Sequence, residues 1–342
     1  MNRLWKKIRG ANESKLLALL VVTTLFFSIL NPDILTLANF YALVRTASVD
    51  AIFALAIMVV ICSGAFDMSY AMVGAFGSYI MMLLCTLNGW NLPAVFIFLG
   101  AIVICVSLEM FNWALIAKLE LQPYIATLGT QMILKGAMLA FISTKFIYTL
   151  PASISKLSTT YLHTAAYGSG VESQLHITLI FVVALYVIMH VVMTYTNFGR
   201  QVYAVGADPA AASRAGIRVA RVRLLVFVIA GILCGLGGVL HDVVARCSYP
   251  VPSDLVGQEL TSIAAVILGT ANSAKARGSV LGTLLGVLLL EYISGNMILI
   301  GVPSFYIQLA SGVLMFVGLV IQMSNRERRR HSLKKEAVPH EA

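Results

Sequence analysis

The chain has 342 residues, of which 59% are hydrophobic and only 11% charged, and its formal net charge is +9. Soluble globular domains carry about a quarter charged residues and just under half apolar ones, so a water-soluble enzyme is excluded. The 26 Gly and 9 Pro follow no three-residue period and sit among aliphatic residues, which excludes a collagen-like or disordered chain. A polytopic membrane protein remains.

A helix rising about 1.5 Å per residue needs about 20 apolar residues to cross a hydrocarbon core of about 30 Å. Ten runs qualify in chain order: 14–31, 38–62, 69–87, 93–117, 122–144, 175–195, 222–245, 257–271, 279–300 and 303–323. The first follows a basic stretch, as a signal peptide would, but it ends in Leu30-Asn31-Pro32-Asp33 with no small-residue cleavage pattern and reads as a retained helix. The expected fold is all-α, a single transmembrane domain over 1–342. A basic tail at 1–13, an outer loop at 145–174, an inner loop at 196–221 and a second basic tail at 324–342 complete it.

Ten spans put both termini on one side, and the cytoplasmic side carries the excess of Lys and Arg. Nineteen of the 24 basic residues fall in the two tails, at Lys118, in the loop from Arg200 to Arg223, and at Lys275 and Arg277. Arg45, Lys135, Lys145, Lys156 and Arg246 lie elsewhere. Both termini are therefore expected in the cytoplasm. The same distribution accounts for the net charge without a nucleic-acid partner, because no single basic face with interleaved aromatics is present.

Two loops interrupt the run of helices. The outer one, 145–174, is rich in Ser and Thr, contains Pro151, Gly168 and Gly170, and is long enough for a short surface helix and for contact with an external partner. The inner one encodes a short helix: Asp208 suits the N-cap, Pro209 the first helical position, and Gly216 a left-handed terminus. Alone such a helix is marginal in water, so either it docks on something or the segment is a simple loop along the membrane. Small residues at four-residue spacing, Gly278, Gly282 and Gly286, Gly231 and Gly235, and Gly74 with Ser78, fit close helix packing or a sliding interface.

The five cysteines have an odd count and no CxxC spacing and read as small hydrophobes between helices; the six histidines form no HxxxH or HExxH pattern, so no metal site is expected. No Gly-Lys step exists for a P-loop, and GxSxG is absent. Ionisable residues at membrane depth cost roughly 2.5–3.5 kcal/mol each and need a reason. They are identified as Asp67, Glu109, Lys135 and Glu291. Lys135 paired with Glu109 or Glu291 is one reading, and a proton or substrate site is the other. Asp67, in Ser63-Gly64-Ala65-Phe66-Asp67-Met68-Ser69, marks either an unwound link between spans or a capped cytoplasmic turn.

Several of these segments, in order from about residue 40 to 320, resemble the permease subunit of the simple-sugar ABC importers, the group of the ribose, arabinose, xylose and autoinducer-2 permeases. Ser63, Gly64, Asp67 and Ser69 match that family's Ser-Gly-Gly-Ile-Asp-Leu-Ser, and Pro123-Tyr124-Ile125-Ala126-Thr127-Leu128-Gly129-Thr130 is similar to its Pro-Phe-Ile-Ala-Thr-Leu-Gly-Thr. Phe198-Gly199-Arg200-Gln201-Val202-Tyr203-Ala204-Val205-Gly206, with Ala211-Ala212 and Ala215-Gly216-Ile217, resembles its cytoplasmic signature. Glu259-Leu260, Ile263 to Gly269 and Arg277-Gly278-Ser279-Val280 continue the match. Ala65 and Phe66 replace Gly and Ile, Tyr70-Ala71 replaces Val-Gly, Leu255 stands where Gly is common, and the Gly-Gly pairs near 270 become Gly269-Thr270 and Lys275-Ala276.

The resemblance implies about ten transmembrane helices in the vitamin-B12-type ABC importer permease fold, in a bacterial inner membrane. It also implies partners: a second permease copy or paralogue, cytoplasmic ABC ATPase subunits that bind the ATP and Mg, and a periplasmic solute-binding protein. The chain itself is then not an enzyme, holds no cofactor and is surrounded by membrane lipid. Phe66, Asp67, Ser69, Tyr124 and Thr127 are the expected translocation path, and Asp208, Ala211, Ala212, Arg214 and Gly216 the expected contact with the ATPase. The solute is expected to be a monosaccharide or related small polar molecule. The alternative is a secondary transporter coupled to a proton gradient through Glu109, Lys135 or Glu291.

Overall fold

The structure is a computed structural model that describes residues 12–168, 170–256, 259–270, 278–303, 305–307, 309, 310, 312, 313, 316 and 320. Both basic tails, Lys275, Ala276 and Arg277 lie outside the described residues apart from Asn12 and Glu13.

Helix α1 (Asn12–Leu30) leads through a 3₁₀ turn, Pro32–Leu35, to α2 (Leu37–Cys62). Thr36 starts α2 by accepting the Asn39 N–H at 3.3 Å, the side-chain cap that a helix N-terminus requires. Next come α3 (Tyr70–Asn88), closed by Gly89 at φ +62°, and α4 (Ala94–Lys118), entered from Pro93. Helix α5 (Pro123–Ala137) widens into a π segment at Met138–Ile142. The segment between α5 and α7 holds α6 (Ala152–Ser158) and an antiparallel hairpin of β1 (Tyr161–Ala166) and β2 (Glu172–His176). Then follow α7 (Thr178–Tyr195), the short helices α8 (Asn197–Ala207) and α9 (Pro209–Arg214), α10 (Val219–Ala245), α11 (Glu259–Thr270) and α12 (Val280–Leu299). The described residues from 305 to 320 are helical.

Among the described residues seven helices are long and apolar enough to cross a membrane: α2, α3, α4, α5 with its π segment, α7, α10 and α12. The apolar stretches of α1, Leu16–Leu30, and of α11, Glu259–Gly269, are shorter. Within the run at 257–271 the described residues form the 12-residue helix Glu259–Thr270, and the residues flanking it lie outside the described set. The hairpin departs from an all-α chain. It pairs Thr164 with Gln174 and Ala165 with Ser173, and it lies against α2.

Helix α2 is the centre of the bundle. Every residue from Ala51 to Val60 is 2% exposed or less, so this helix is apolar on all sides because it meets protein on all sides. Helix α4 is the opposite case: it packs one face on α10 and turns Leu99, Val103 and Phe111 outward. Outward apolar faces of this kind suit lipid, where water-facing helices would carry charge.

The glycine stripes make close contacts. A Cβ on Gly231 would lie 2.6 Å from the Val106 Cα of α4, and one on Gly235 would lie 2.7 Å from the Ile102 Cα. On the facing side of α10, a Cβ on Gly238 would strike the Gly74 carbonyl of α3. Three helix backbones thus meet without intervening side chains, which is how apolar helices associate when lipid provides no hydrophobic drive. Gly238→Ala is expected to force α3 from α10 and to lower stability by about 1–3 kcal/mol, the usual cost of overpacking. Thermal unfolding of the chain in detergent checks this, and an unchanged midpoint would contradict backbone contact at that crossing.

Candidate functional site

Between α2 and α3 the chain leaves helical conformation for residues 63–69. The segment is not a solvated turn: Asp67 is 1% exposed and Ser69 fully buried. Asp67 Oδ1 accepts the Ser69 N–H at 2.8 Å and the Ser69 Oγ–H at 2.7 Å. One residue earlier, the Met68 N–H donates to Thr127 Oγ1 of α5 at 3.0 Å, and that hydroxyl donates in turn to the Pro123 carbonyl at 2.9 Å. The Phe66 ring lies 6.1 Å from the Tyr124 ring at 49°. The five residues expected on a path, Phe66, Asp67, Ser69, Tyr124 and Thr127, therefore lie at one junction of the link with α5. Tyr124 is half exposed at 50%, while Thr127 is buried.

Helix α4 completes the cluster. Asn112 Nδ2 donates to Ser69 Oγ at 2.8 Å and to Glu109 Oε2 at 3.2 Å, and both side chains are fully buried. Glu109 thus belongs with Asp67. About one turn along α5 from Thr127, Gln131 Nε2 donates to Glu259 Oε1 of α11 at 2.5 Å.

The expected ion pairs do not form. Lys135 is exposed on α5, and among the described residues the only salt bridges are those of His241. Glu291 instead has its carboxyl within hydrogen-bonding reach of Asp50 on α2. The inventory of ionisable residues at depth was also incomplete, since Asp50, His241, Asp242 and Glu259 belong in it. His241 Nε2 meets Asp254 Oδ2 at 2.9 Å, and Ser248 Oγ donates to Asp242 Oδ2 at 2.7 Å. Asp50, His241 and Asp242 sit within the apolar runs 38–62 and 222–245, so the criterion that selected Glu109 applies equally to them. Among the described residues no group of His, Cys, Asp and Glu could hold a metal ion.

Helix α8 attaches to the same link. Gly64 has φ +77°, and a Cβ there would lie 3.3 Å from the Gly206 Cα of α8. A Cβ on Gly206 would strike the Cys62 carbonyl, and one on Gly278 the Cys62 sulfur. Tyr203 donates its hydroxyl to the Gly278 carbonyl at 2.7 Å. Next along, Asp208 Oδ1 caps α9 by accepting the N–H groups of Ala210 and Ala211 at 2.9 and 3.0 Å, and Gly216 ends the turn at φ +83°. Ala212 faces inward at 5% exposure; Asp208, Ala211, Arg214 and Gly216 are exposed.

Thr127→Val keeps the side-chain volume but leaves the Met68 N–H without an acceptor. A buried unmade hydrogen bond costs about 1–3 kcal/mol. The variant is therefore expected to unfold at a lower temperature than Thr127→Ser, which restores the acceptor; equal midpoints for Val and Ser would contradict the Met68 contact.

Comparison with known proteins now bears on these features. Residues 39–321 match the family described as the branched-chain amino acid transport system / permease component. The chain is 32% identical over 302 residues to the ribose import permease protein of Bacillus subtilis (strain 168), covering 88% of this chain and 90% of that one. It is 28% identical over 318 residues to the ribose import permease protein of Escherichia coli (strain K12), covering 90% and 93%. With the L-arabinose ABC transporter permease protein of Azospirillum brasilense it shares 27% over 321 residues, covering 93% and 90%. With a family match over most of its length and relatives aligned nearly end to end, the chain belongs to this family of ABC transporter permease components.

Proposed function

We propose that the chain is the transmembrane subunit of a binding-protein-dependent importer for a monosaccharide or similar small polar solute, with ten spans in the vitamin-B12-type arrangement. It sits in a bacterial inner membrane with both termini in the cytoplasm, beside a second permease copy or paralogue. Two cytoplasmic ATPase subunits bind ATP and Mg, and a periplasmic binding protein delivers solute to the outer loop at 145–174. Relatives named for ribose and arabinose transport support the solute class.

One observation carries the mechanism: the exposed helix α9 continues from α8, and α8 rests glycine to glycine on the link that holds Asp67. A helix of six residues is too short to be stable in water unless docked. In the proposed complex Asp208, Ala211, Arg214 and Gly216 present its outer face to a groove of the ATPase, while Ala212 anchors its inner face. When ATP binding closes the ATPase pair, the displaced α9 carries α8 with it. Because Gly206 has no room against Cys62, the end of α2 and the link must follow. ATP drives this only through its differential affinity for the two arrangements.

At the link, Phe66 and Tyr124 offer ring faces to a sugar, and Asp67, Ser69 and Thr127 offer hydroxyl and carboxyl oxygens. Asp67 Oδ1, Ser69 and Thr127 already hydrogen-bond within the protein, so their contacts with a passing solute are weak. Weak contact is what conduction requires, since a tightly held solute would not leave.

The test is reconstitution. Native mass spectrometry of the chain taken gently from its own membranes is expected to show two copies of a soluble ATPase and a second permease. Uptake in vesicles is expected to need internal or external ATP on the ATPase side and to survive a protonophore; uptake without ATP that a protonophore abolishes would overturn the reading. Arg214→Glu is expected to lower uptake at least tenfold at normal expression by weakening ATPase docking. Gly206→Ala is expected to leave ATPase binding intact and to lower uptake per ATP hydrolysed. Unchanged coupling in Gly206→Ala would break the proposed link between α8 and Asp67.

A further inference from the structure

The cluster formed by the link and α4 holds two carboxyls and no cation. Asp67 and Glu109 are 1% and 0% exposed, and their side chains are in hydrogen-bonding contact. Among the described residues neither forms an ion pair. The other titratable groups facing them are Cys105 on α4, Cys234 on α10 and Tyr70 on α3, none of which is a cation.

The cluster is short of hydrogens. Asp67 Oδ1 accepts two from Ser69 and Glu109 Oε2 accepts one from Asn112, but Asp67 Oδ2, Glu109 Oε1 and Asn112 Oδ1 are buried acceptors with no donor among the protein groups. Such atoms are rare in folded proteins and call for an explanation. Two ionised carboxylates in contact inside a low-dielectric interior repel strongly, and pairs of this kind hold one proton in common.

We propose that Asp67 and Glu109 bind a single proton between them, carried by Glu109 and donated to Asp67, so that a proton fastens the α2–α3 link to α4. The donors decide which carboxyl is ionised. Asp67 receives two short hydrogen bonds, one of them from a backbone N–H, whereas Glu109 receives one at 3.2 Å. Donors stabilise the charged form, so the charge settles on Asp67 and the hydrogen on Glu109. One hydrogen then satisfies both carboxyls. Asn112, which donates to Glu109 and to Ser69 together, is a positioning residue that holds the two sides of the clasp in register. Removing the proton would place two like charges in contact and drive the link away from α4.

The clasp does not depend on which solute moves or on what drives it, and its test is spectroscopic. The full chain in lipid nanodiscs is examined by infrared absorption in water and heavy water. The expected result is a protonated-carboxyl stretching band that shifts in heavy water, disappears in Glu109→Gln, and persists in Asp67→Asn and in Glu291→Gln. A band lost in Asp67→Asn but kept in Glu109→Gln overturns the assignment to Glu109. Absence of any band sensitive to Glu109→Gln overturns the clasp, as does stabilisation of the unaltered chain by sodium without such a band, which would mean a bound cation. If Glu109→Gln does not fold, Glu291→Gln made with isotope-labelled glutamate replaces it: the band must shift with the label, and an unshifted band overturns the proposal.

Discussion

Seven residues of backbone, 63–69, leave helical conformation between two buried helices, and, Gly64 and Phe66 apart, they are buried away from water. Their neighbours are arranged around that constraint. Ser63 and Gly64 return their N–H groups to the carbonyls of Val60 and Ile61, Met68 gives its own to Thr127, and Ser69 gives its own to Asp67. Thr127 and Asp67 are therefore needed for the chain to open at this point at all. An interrupted helix at membrane depth is tolerated where it lines a cavity or is buried in protein, and in the proposed transport path the same groups serve a polar solute as well.

The second dependency is close approach. Helix α8 reaches the link only because Gly206 and Gly64 have no side chains, and α12 reaches the same point only because Gly278 has none against the Cys62 sulfur. At this crossing a positive φ at Gly64 is also required, since the chain must turn out of α2 within one residue. Contacts between backbones deform little. A displacement of α8 is therefore passed on at nearly full amplitude, where long flexible side chains would absorb it.

Much of this arrangement was legible in the amino-acid order. Apolar run length located α2, α3, α4, α7 and α10 closely, because a bilayer imposes one length on every span. Asp208, Pro209 and Gly216 announced α9, because caps are local chemistry that needs no distant partner. What escaped were features set by tertiary neighbours. The β1–β2 hairpin escaped because its strands lie on α2, and alternation in the Ser- and Thr-rich loop was too faint to reveal it. The pairing of Lys135 with a carboxylate followed from charge alone, but helix rotation decides what a residue faces, and α5 turns Lys135 outward. Glu109 and Asp67 are separated by 42 positions and both acidic, so nothing in their order suggested contact.

Asp50 lies midway along α2, with Glu291 beside it and His241 and Asp254 near it, while Cys62 and the link stand at the C-terminal end of the helix. Between them Ala51–Val60 is apolar and buried, about 15 Å of helix with no polar side chain and no glycine to bend it. Such a segment moves as a rod. In the proposed transport cycle a push delivered by α8 at Cys62 has two outlets: it bends the unwound link, or it shifts the rod and disturbs the carboxyls of Asp50 and Glu291 at its other end. Since the link is the part of this path that lacks continuous helical hydrogen bonding, it yields first, and the contacts that hold it to α4 and α5 set how readily it does so.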